Sequence, residues 1–228
     1  MKIAEIFHSI QGEGLLAGTP SVFVRTSGCN LRCWYCDTPY SSWEPEGEKF
    51  EPAEIVRRVL DVDCRHVVVT GGEPMLWPSL VEVVDALRGD GRHVTIETAG
   101  TLEVPVVCDL ASISPKLASS TPVTQEGGRF ALMHEQARWK PDIIAGLMRR
   151  QPYQLKFVAH QPSDLEEIDS MLARLPAADP GRIMLMPQGT TPSELASRSG
   201  WVARACLERG WRYAPRLHID LYGNTRGT

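Results

Sequence analysis

The chain has 228 residues, of which 43% are apolar, and its 24 basic and 28 acidic side chains leave a formal net charge of −4. That is ample for one continuous core, and the well-mixed charge gives no basic field of the kind non-specific nucleic-acid binding needs, so a small molecule is the expected partner. No apolar run approaches the ~20 residues needed to cross a bilayer, and no signal or lipidation sequence is evident, so no membrane association is expected and the cytoplasm, with reduced thiols, is the expected compartment.

In chain order, Met1 to Phe7 alternates loosely through Ile3, Ala4 and Ile6 and predicts a short strand. It runs into His8-Ser9-Ile10-Gln11-Gly12-Glu13-Gly14. The two glycines make this either a plain turn or a stretch of main chain that a ligand approaches closely between polar Gln11 and Glu13. Thr19 to Thr26, β-branched and aromatic, is the next predicted strand. Arg25, among apolar neighbours near its end, calls for a planar acceptor, either a ligand carboxylate or a nearby acid of the protein.

That strand delivers the chain to Gly28-Cys29-Asn30-Leu31-Arg32-Cys33-Trp34-Tyr35-Cys36-Asp37-Thr38, a C-x3-C-x2-C loop. Three thiolates leave one iron of a [4Fe–4S] cluster without a protein ligand and open to another molecule. The competing reading is a structural zinc site whose fourth ligand would be Cys64, Cys108, Cys206 or a histidine, although zinc knuckles usually come as paired half-sites and the second pair is absent. A disulfide is disfavoured, because three clustered cysteines cannot pair off without a distant thiol. Trp34 and Trp43 either shield the site or simply pack.

After a polar segment from Ser41 to Lys49, Pro52 opens a helix with Ile55, Val56, Val59 and Leu60 on one face. His66-Val67-Val68-Val69-Thr70 is a continuous apolar run expected of a parallel strand, and it empties into Gly71-Gly72-Glu73-Pro74. This turn is either a tight strand-to-helix connection or a place where exposed backbone groups and an acid meet an ammonium. Pro78 starts a second helix through Leu80, Val83, Val84 and Leu87. Strands are then predicted at His93 to Thr98, Val104 to Leu110, Gln154 to Ala159 and Arg182 to Met186. A loop is expected from Ala118 to Phe130, helices near Ala137 to Arg149 and Leu165 to Leu175, and a last helix capped by Thr191 and opened by Pro192. Tyr213 to Tyr222 reads as a final extended segment.

Alternating strands and helices imply right-handed crossovers and a parallel sheet. About six core strands are too few for a closed eight-stranded barrel, so the expected fold is α/β, an open, partial parallel β/α barrel, with residues 1–228 as one domain. Working residues in such folds gather at the C-terminal ends of the strands. The cysteine loop, Thr70 to Glu73, Glu97, Ser114 to Lys116 and Met186 to Gly189 all fall there.

The cysteine spacing and the Thr-Gly-Gly-Glu-Pro turn together resemble the radical S-adenosylmethionine (SAM) superfamily, and the predicted fold is that of its core. Ser9-Ile10-Gln11-Gly12-Glu13-Gly14, Arg25, Asp37-Thr38, Glu97-Thr98, Ser114-Pro115-Lys116, Gln154 to Val158 and the tail from His218 to Thr228 narrow the resemblance to the 7-carboxy-7-deazaguanine synthase family of queuosine and 7-deazapurine biosynthesis. The resemblance implies conversion of 6-carboxy-5,6,7,8-tetrahydropterin to 7-carboxy-7-deazaguanine, with ring contraction and loss of ammonia, by a carbon–nitrogen lyase using a [4Fe–4S] cluster, SAM and Mg²⁺. It implies Cys29, Cys33 and Cys36 at the cluster and Thr38 at Mg²⁺. Gly72, Glu73, Glu97, Ser114, Pro115, Lys116, Met186, Pro187, Gln188 and Gly189 would hold SAM. Ile10, Gln11, Gly12, Glu13, Arg25, Thr70, His218 and Thr228 would hold the pterin. A homodimer and an electron donor such as flavodoxin or ferredoxin are implied as well. Lys156 is expected as a snorkelling surface lysine or as an inward-facing one, and Cys64, Cys108 and Cys206 as small apolar packing. The alternatives are a radical SAM activase that makes a glycyl radical on a partner protein, and a non-catalytic zinc or iron–sulfur module.

Overall fold

The computed structural model describes every residue from Met1 to Thr228. Nine strands form one sheet: β1 (Lys2–Ile10), β2 (Pro20–Thr26), β3 (Glu48–Lys49), β4 (His66–Gly71), β5 (His93–Thr98), β6 (Leu110–Ile113), β7 (Tyr153–Ala159), β8 (Ile183–Pro187) and β9 (Arg212–Tyr213). Eight helices join them: α1 (Pro39–Ser42), α2 (Pro52–Leu60), α3 (Leu80–Gly89), α4 (Ala131–Ala137), α5 (Pro141–Arg150), α6 (Asp164–Leu172), α7 (Pro192–Arg209) and α8 (Leu217–Tyr222). The spatial order is β3-β1-β2-β4-β5-β6-β7-β8-β9, parallel from β2 to β9, with β1 antiparallel to both β2 and β3 at one edge. The sheet stays open, an α/β half-barrel built on six long parallel strands.

Side-chain alternation along each strand decides what the two faces do. Val22 and Val24 of β2, Val67 and Val69 of β4, Val94 and Ile96 of β5, Ala111 and Ile113 of β6, Leu155 and Phe157 of β7, and Ile183 and Leu185 of β8 point to the helices. With Ile55, Leu80, Val84, Leu87, Ile144, Leu147, Ile168 and Val202 they form one cluster of 37 buried residues. The other face carries Arg25, Thr70, Glu97, Ser112 and Lys156, which line a cavity. The main apolar core therefore lies between sheet and helices, while the opposite face carries these polar groups beside a small apolar cluster of Met184, Met186 and Ala214. Cys64, Cys108 and Cys206 all sit in the core cluster.

Four stretches depart from the sequence prediction. Val104 to Cys108 alternates in burial but forms no ladder: Pro105 lacks a donor, Val106 turns back onto the Val104 carbonyl at 2.8 Å, and the Cys108 N–H goes to the Gln151 side chain at 3.0 Å. Only Leu110–Ile113 pairs as a strand. The helix expected near Ala137 to Arg149 is α5 and starts only at Pro141, because Lys140 before the proline is held out of helical geometry at φ −131°, ψ 78°; α4, Ala131–Ala137, precedes it as a separate helix not expected from the sequence. Tyr213 to Tyr222 is not extended throughout: after the two-residue β9, the chain turns at Pro215 into α8, which buries Ile219. The loop from Ala118 to Phe130 contains two short 3-10 turns, at Ala118–Ser120 and Gln125–Gly128. No helix is long and apolar enough to cross a membrane.

Candidate active site

The cavity encloses about 480 Å³ and is lined from β1, β2, the cysteine loop, the ends of β4 to β8 and the C-terminal segment. A second hollow of about 600 Å³, between α2 and α3, is lined by residues such as Ala53, Val56 and Leu60 and carries no thiol or histidine.

Cys29, Cys33 and Cys36 all line the first cavity, and all three thiols are free. Their loop is held from outside by main-chain and ring contacts. The Gly28 N–H donates to the Ser41 carbonyl at 2.8 Å, the Trp34 N–H to the Ser120 carbonyl at 3.1 Å, and Trp43 Nε1 to the Cys33 carbonyl at 2.9 Å. His134 Nδ1 accepts from the Arg32 N–H at 3.0 Å, and its Nε2 lies 2.9 Å from Ser120 Oγ. Burial pushes the Cys29 and Cys33 thiols up to about 12 and raises Cys36 as well, so the three thiols must release protons to take a metal. No three His, Cys, Asp or Glu side chains converge tightly enough to hold a single ion. With the other three cysteines in the core, the zinc reading lacks its expected cysteine partner. Three free thiols on a cavity wall fit the demand of a cluster with one open iron.

Beside the thiols, β4 ends in Gly71 and Gly72. Gly71 adopts φ +133°, and a Cβ there would lie 2.1 Å from the Thr26 carbonyl oxygen, so only glycine lets β4 leave the sheet this close to β2. Gly72 lines the cavity, whereas Glu73 does not: its side chain is 0% exposed and accepts from Met75 N at 3.0 Å, Thr98 Oγ1 at 2.8 Å and Ala99 N at 2.9 Å. Ser114, Lys116, Met186 and Gln188 line the cavity; Pro115, Pro187 and Gly189 do not. Tyr35 is on the same wall, and its hydroxyl is buried.

The remaining expected residues, Ile10, Gln11, Gly12, Glu13, Arg25, Thr38, Thr70, Glu97, His218 and Thr228, all reach the cavity. Glu97 accepts from Gln11 Nε2 at 3.2 Å and Thr70 Oγ1 at 2.8 Å, two of the residues expected at the pterin. Arg25 has the protein acid that its position called for: Nε donates to Glu5 at 2.6 Å, and the same oxygen accepts from Tyr40 at 2.8 Å. Gly12 is a close approach, but to protein, since a Cβ there would lie 2.0 Å from His218 Nδ1. The Thr38 hydroxyl offers one neutral oxygen beside Cys36, at 3.8 Å from its sulfur.

Two buried cations complete the wall. Lys156 and Arg216 are each 5% exposed, and both are ion-paired to Glu13, Arg216 also to Asp37. Lys156 is thus an inward residue, and the snorkelling alternative falls. Its alternation with Leu155 and Phe157 was the available signal. Arg216 lay in the segment read as extended, with nothing local to mark it.

Residues 23–114 match the radical SAM superfamily. The chain is 45% identical over 228 residues to a 7-carboxy-7-deazaguanine synthase of Rhodopirellula baltica, covering 99% of this chain and 88% of the relative. It is 46% identical over 238 residues to one of Halobacterium salinarum, covering 100% and 93%. Among solved structures, QueE from Escherichia coli superposes with a TM-score of 0.72 at 25% identity, over 95% of this chain and 94% of that one. Streptococcus suis SuiB shares the fold alone, at a TM-score of 0.54 and 15% identity over 84% of this chain and 47% of its own. Likeness of this degree along nearly the whole of both sequences, on a cavity that carries the cysteine loop, places the chain in the 7-carboxy-7-deazaguanine synthase family of radical SAM enzymes.

Proposed function

We propose that this cavity takes 6-carboxy-5,6,7,8-tetrahydropterin to 7-carboxy-7-deazaguanine, with ring contraction and loss of ammonia. The observation that carries the reading is the sharing of one cavity by three free thiols and a set of fixed carboxylate, amide and guanidinium groups. Cys29, Cys33 and Cys36 would hold a [4Fe–4S] cluster whose open iron binds SAM; together they supply, when bound, a 5′-deoxyadenosyl radical.

The chain's own residues bind and orient. Glu13, ionised, accepts from the adjacent N–H donors of the pterin edge, and Gln11 and the Glu97 it touches add further acceptors. Arg25, with Nε engaged by Glu5, presents its remaining N–H groups to the substrate carboxylate. Thr38 would offer one oxygen to Mg²⁺, with the rest of that ion's ligands coming from outside the protein. The Gly72 main chain, Ser114, Lys116, Met186 and Gln188 line the part of the cavity assigned to SAM, whose amine the main chain at Gly72 and Glu73 would meet. The Glu73 carboxylate, being committed to protein donors, holds that turn in place. Residues 223–228, of which Asn224, Thr225, Arg226 and Thr228 line the cavity, cover it and exclude water. The enzyme acts as a cytoplasmic homodimer of one-domain subunits, with flavodoxin or ferredoxin as electron donor.

The test is an anaerobic incubation of the iron- and sulfide-reconstituted protein with SAM, Mg²⁺, dithionite and the carboxytetrahydropterin. The expected result is growth of the deazaguanine absorbance with release of ammonia. Recovery of unchanged pterin from a protein that cleaves SAM would reject this substrate.

A further inference from the structure

Glu13, Asp37, Lys156 and Arg216 bring two anions and two cations together on the cavity wall from four separate segments of the chain. Lys156, on β7, donates to Oε2 of Glu13. Arg216, just before α8, donates through Nε to Oε1 of the same carboxylate at 3.0 Å, through Nη1 to the Gly189 carbonyl at 2.5 Å, and through Nη2 to Asp37. Each Glu13 oxygen is therefore held by one N–H and keeps a second acceptor position. Asp37 directly follows the third cysteine. A single rigid guanidinium thus joins the carboxylate at one part of the cavity to the thiol loop at another.

We propose that Lys156 and Arg216 are positioning residues that fix Glu13 as a permanent hydrogen-bond acceptor, selecting ligand edges with adjacent N–H donors, and that Arg216 also sets the spacing between this acceptor and the thiol loop. The proposal rests on the reading of Glu13 as the group that meets the pterin edge. The charges around Glu13 support it. Burial alone would raise the Glu13 carboxyl, yet Lys156, Arg216 and His218 together hold it far below the usual carboxylate range. Glu97 is the other acid facing Lys156, and Asp37 the other facing Arg216. An acceptor that never carries a proton cannot turn into a donor and admit an edge of the opposite pattern.

The test compares wild type with Glu13→Gln, Lys156→Met, Lys156→Arg and Arg216→Gln. Pterin binding is measured calorimetrically on metal-free protein, and steady-state rates on reconstituted protein, from about pH 6 to about pH 8. Wild-type binding is expected to be flat on the acid side. In Lys156→Met the carboxylate keeps one cation and is protonated more readily than in wild type, so the dissociation constant rises toward the acid end of the range; Lys156→Arg restores the flat profile. Arg216→Gln, which frees the acceptor from the thiol loop, lowers kcat by about tenfold or more in addition to raising KM. Should Lys156→Met melt below the assay temperature, Lys156→Gln, which keeps a donor without the charge, carries the same pH test. Flat binding in the uncharged Lys156 variant and an unchanged kcat in Arg216→Gln, with Glu13→Gln binding weakly, would overturn the positioning role alone. Wild-type affinity in Glu13→Gln would overturn the reading of Glu13 and the proposal with it.

Discussion

Replacing Glu73 by glutamine separates two roles for the Gly-Gly-Glu turn. The carboxylate is fully buried and serves three donors, Met75 N–H and Thr98 O–H on one oxygen and the Ala99 N–H on the other. Burial raises its pKa while those three donors pull it down, the balance lying above the ordinary carboxyl value. Glutamine offers a single oxygen. Whichever way the amide turns, at least one backbone or hydroxyl donor is left facing an NH₂ group in a site closed to water. A buried unsatisfied donor costs about 1–3 kcal/mol, and the lost charge assistance about 1 more, so a destabilisation of about 2–4 kcal/mol is expected. For a chain of this size that is a fall in Tm of roughly 4–16 °C. Alanine, which abandons all three donors, should cost more. The assay is thermal and urea unfolding of the metal-free protein, with SAM affinity measured on reconstituted protein. An unchanged Tm together with a large loss of SAM affinity would refute the reasoning, because it would mean the carboxylate faces the ligand rather than the turn.

Three further outcomes follow from the same contacts. Replacing Cys29, Cys33 or Cys36 singly by serine should lower the iron retained after reconstitution from about four per chain and abolish the brown absorbance, while Cys206→Ser, in the core, should leave the iron content unchanged. His134 is held neutral in the folded chain, its pKa lowered by burial to about 4 from 6.5, so protonation favours the unfolded chain. Its contribution is complete above about pH 6.5 and is lost as the pH falls through about 4, and His134→Gln should flatten that part of the acid limb of a urea-unfolding series. Gly12→Ala puts a methyl group where His218 Nδ1 now lies 2.0 Å from the Cβ position; the ring must leave the wall, costing about 1–3 kcal/mol of stability and raising KM for the pterin roughly tenfold or more.

The cysteine loop, the glycine turn after β4 and the parallel strand order were legible because each is a local matter: spacing within eight residues, or an apolar run closed by Gly-Gly. The inward face of the sheet was harder. Its strands look uniformly apolar where β-branched residues fill both faces, as in Val67-Val68-Val69, and only scattered polar residues, Arg25, Thr70, Glu97, Ser112 and Lys156, show that one face is wet. The charge cluster was illegible for a different reason. Lys156 and Arg216 meet Glu13 across 143 and 203 residues of sequence, and a lone basic residue announces no partner at that distance. Val104 to Cys108 was misread because alternate burial mimics a strand even where proline denies it a ladder, and the C-terminal segment because a six-residue helix after Pro215 is too short to display a period.

The central claim is that three thiols on this cavity hold a cluster with one iron left for SAM. Electron paramagnetic resonance of the reduced, reconstituted protein tests it most directly, recorded before and after SAM is added. The account predicts a spectrum of a reduced [4Fe–4S] centre whose g-values shift on addition of SAM. A spectrum indifferent to SAM, with about four irons bound, would mean that every iron is already ligated and would contradict it.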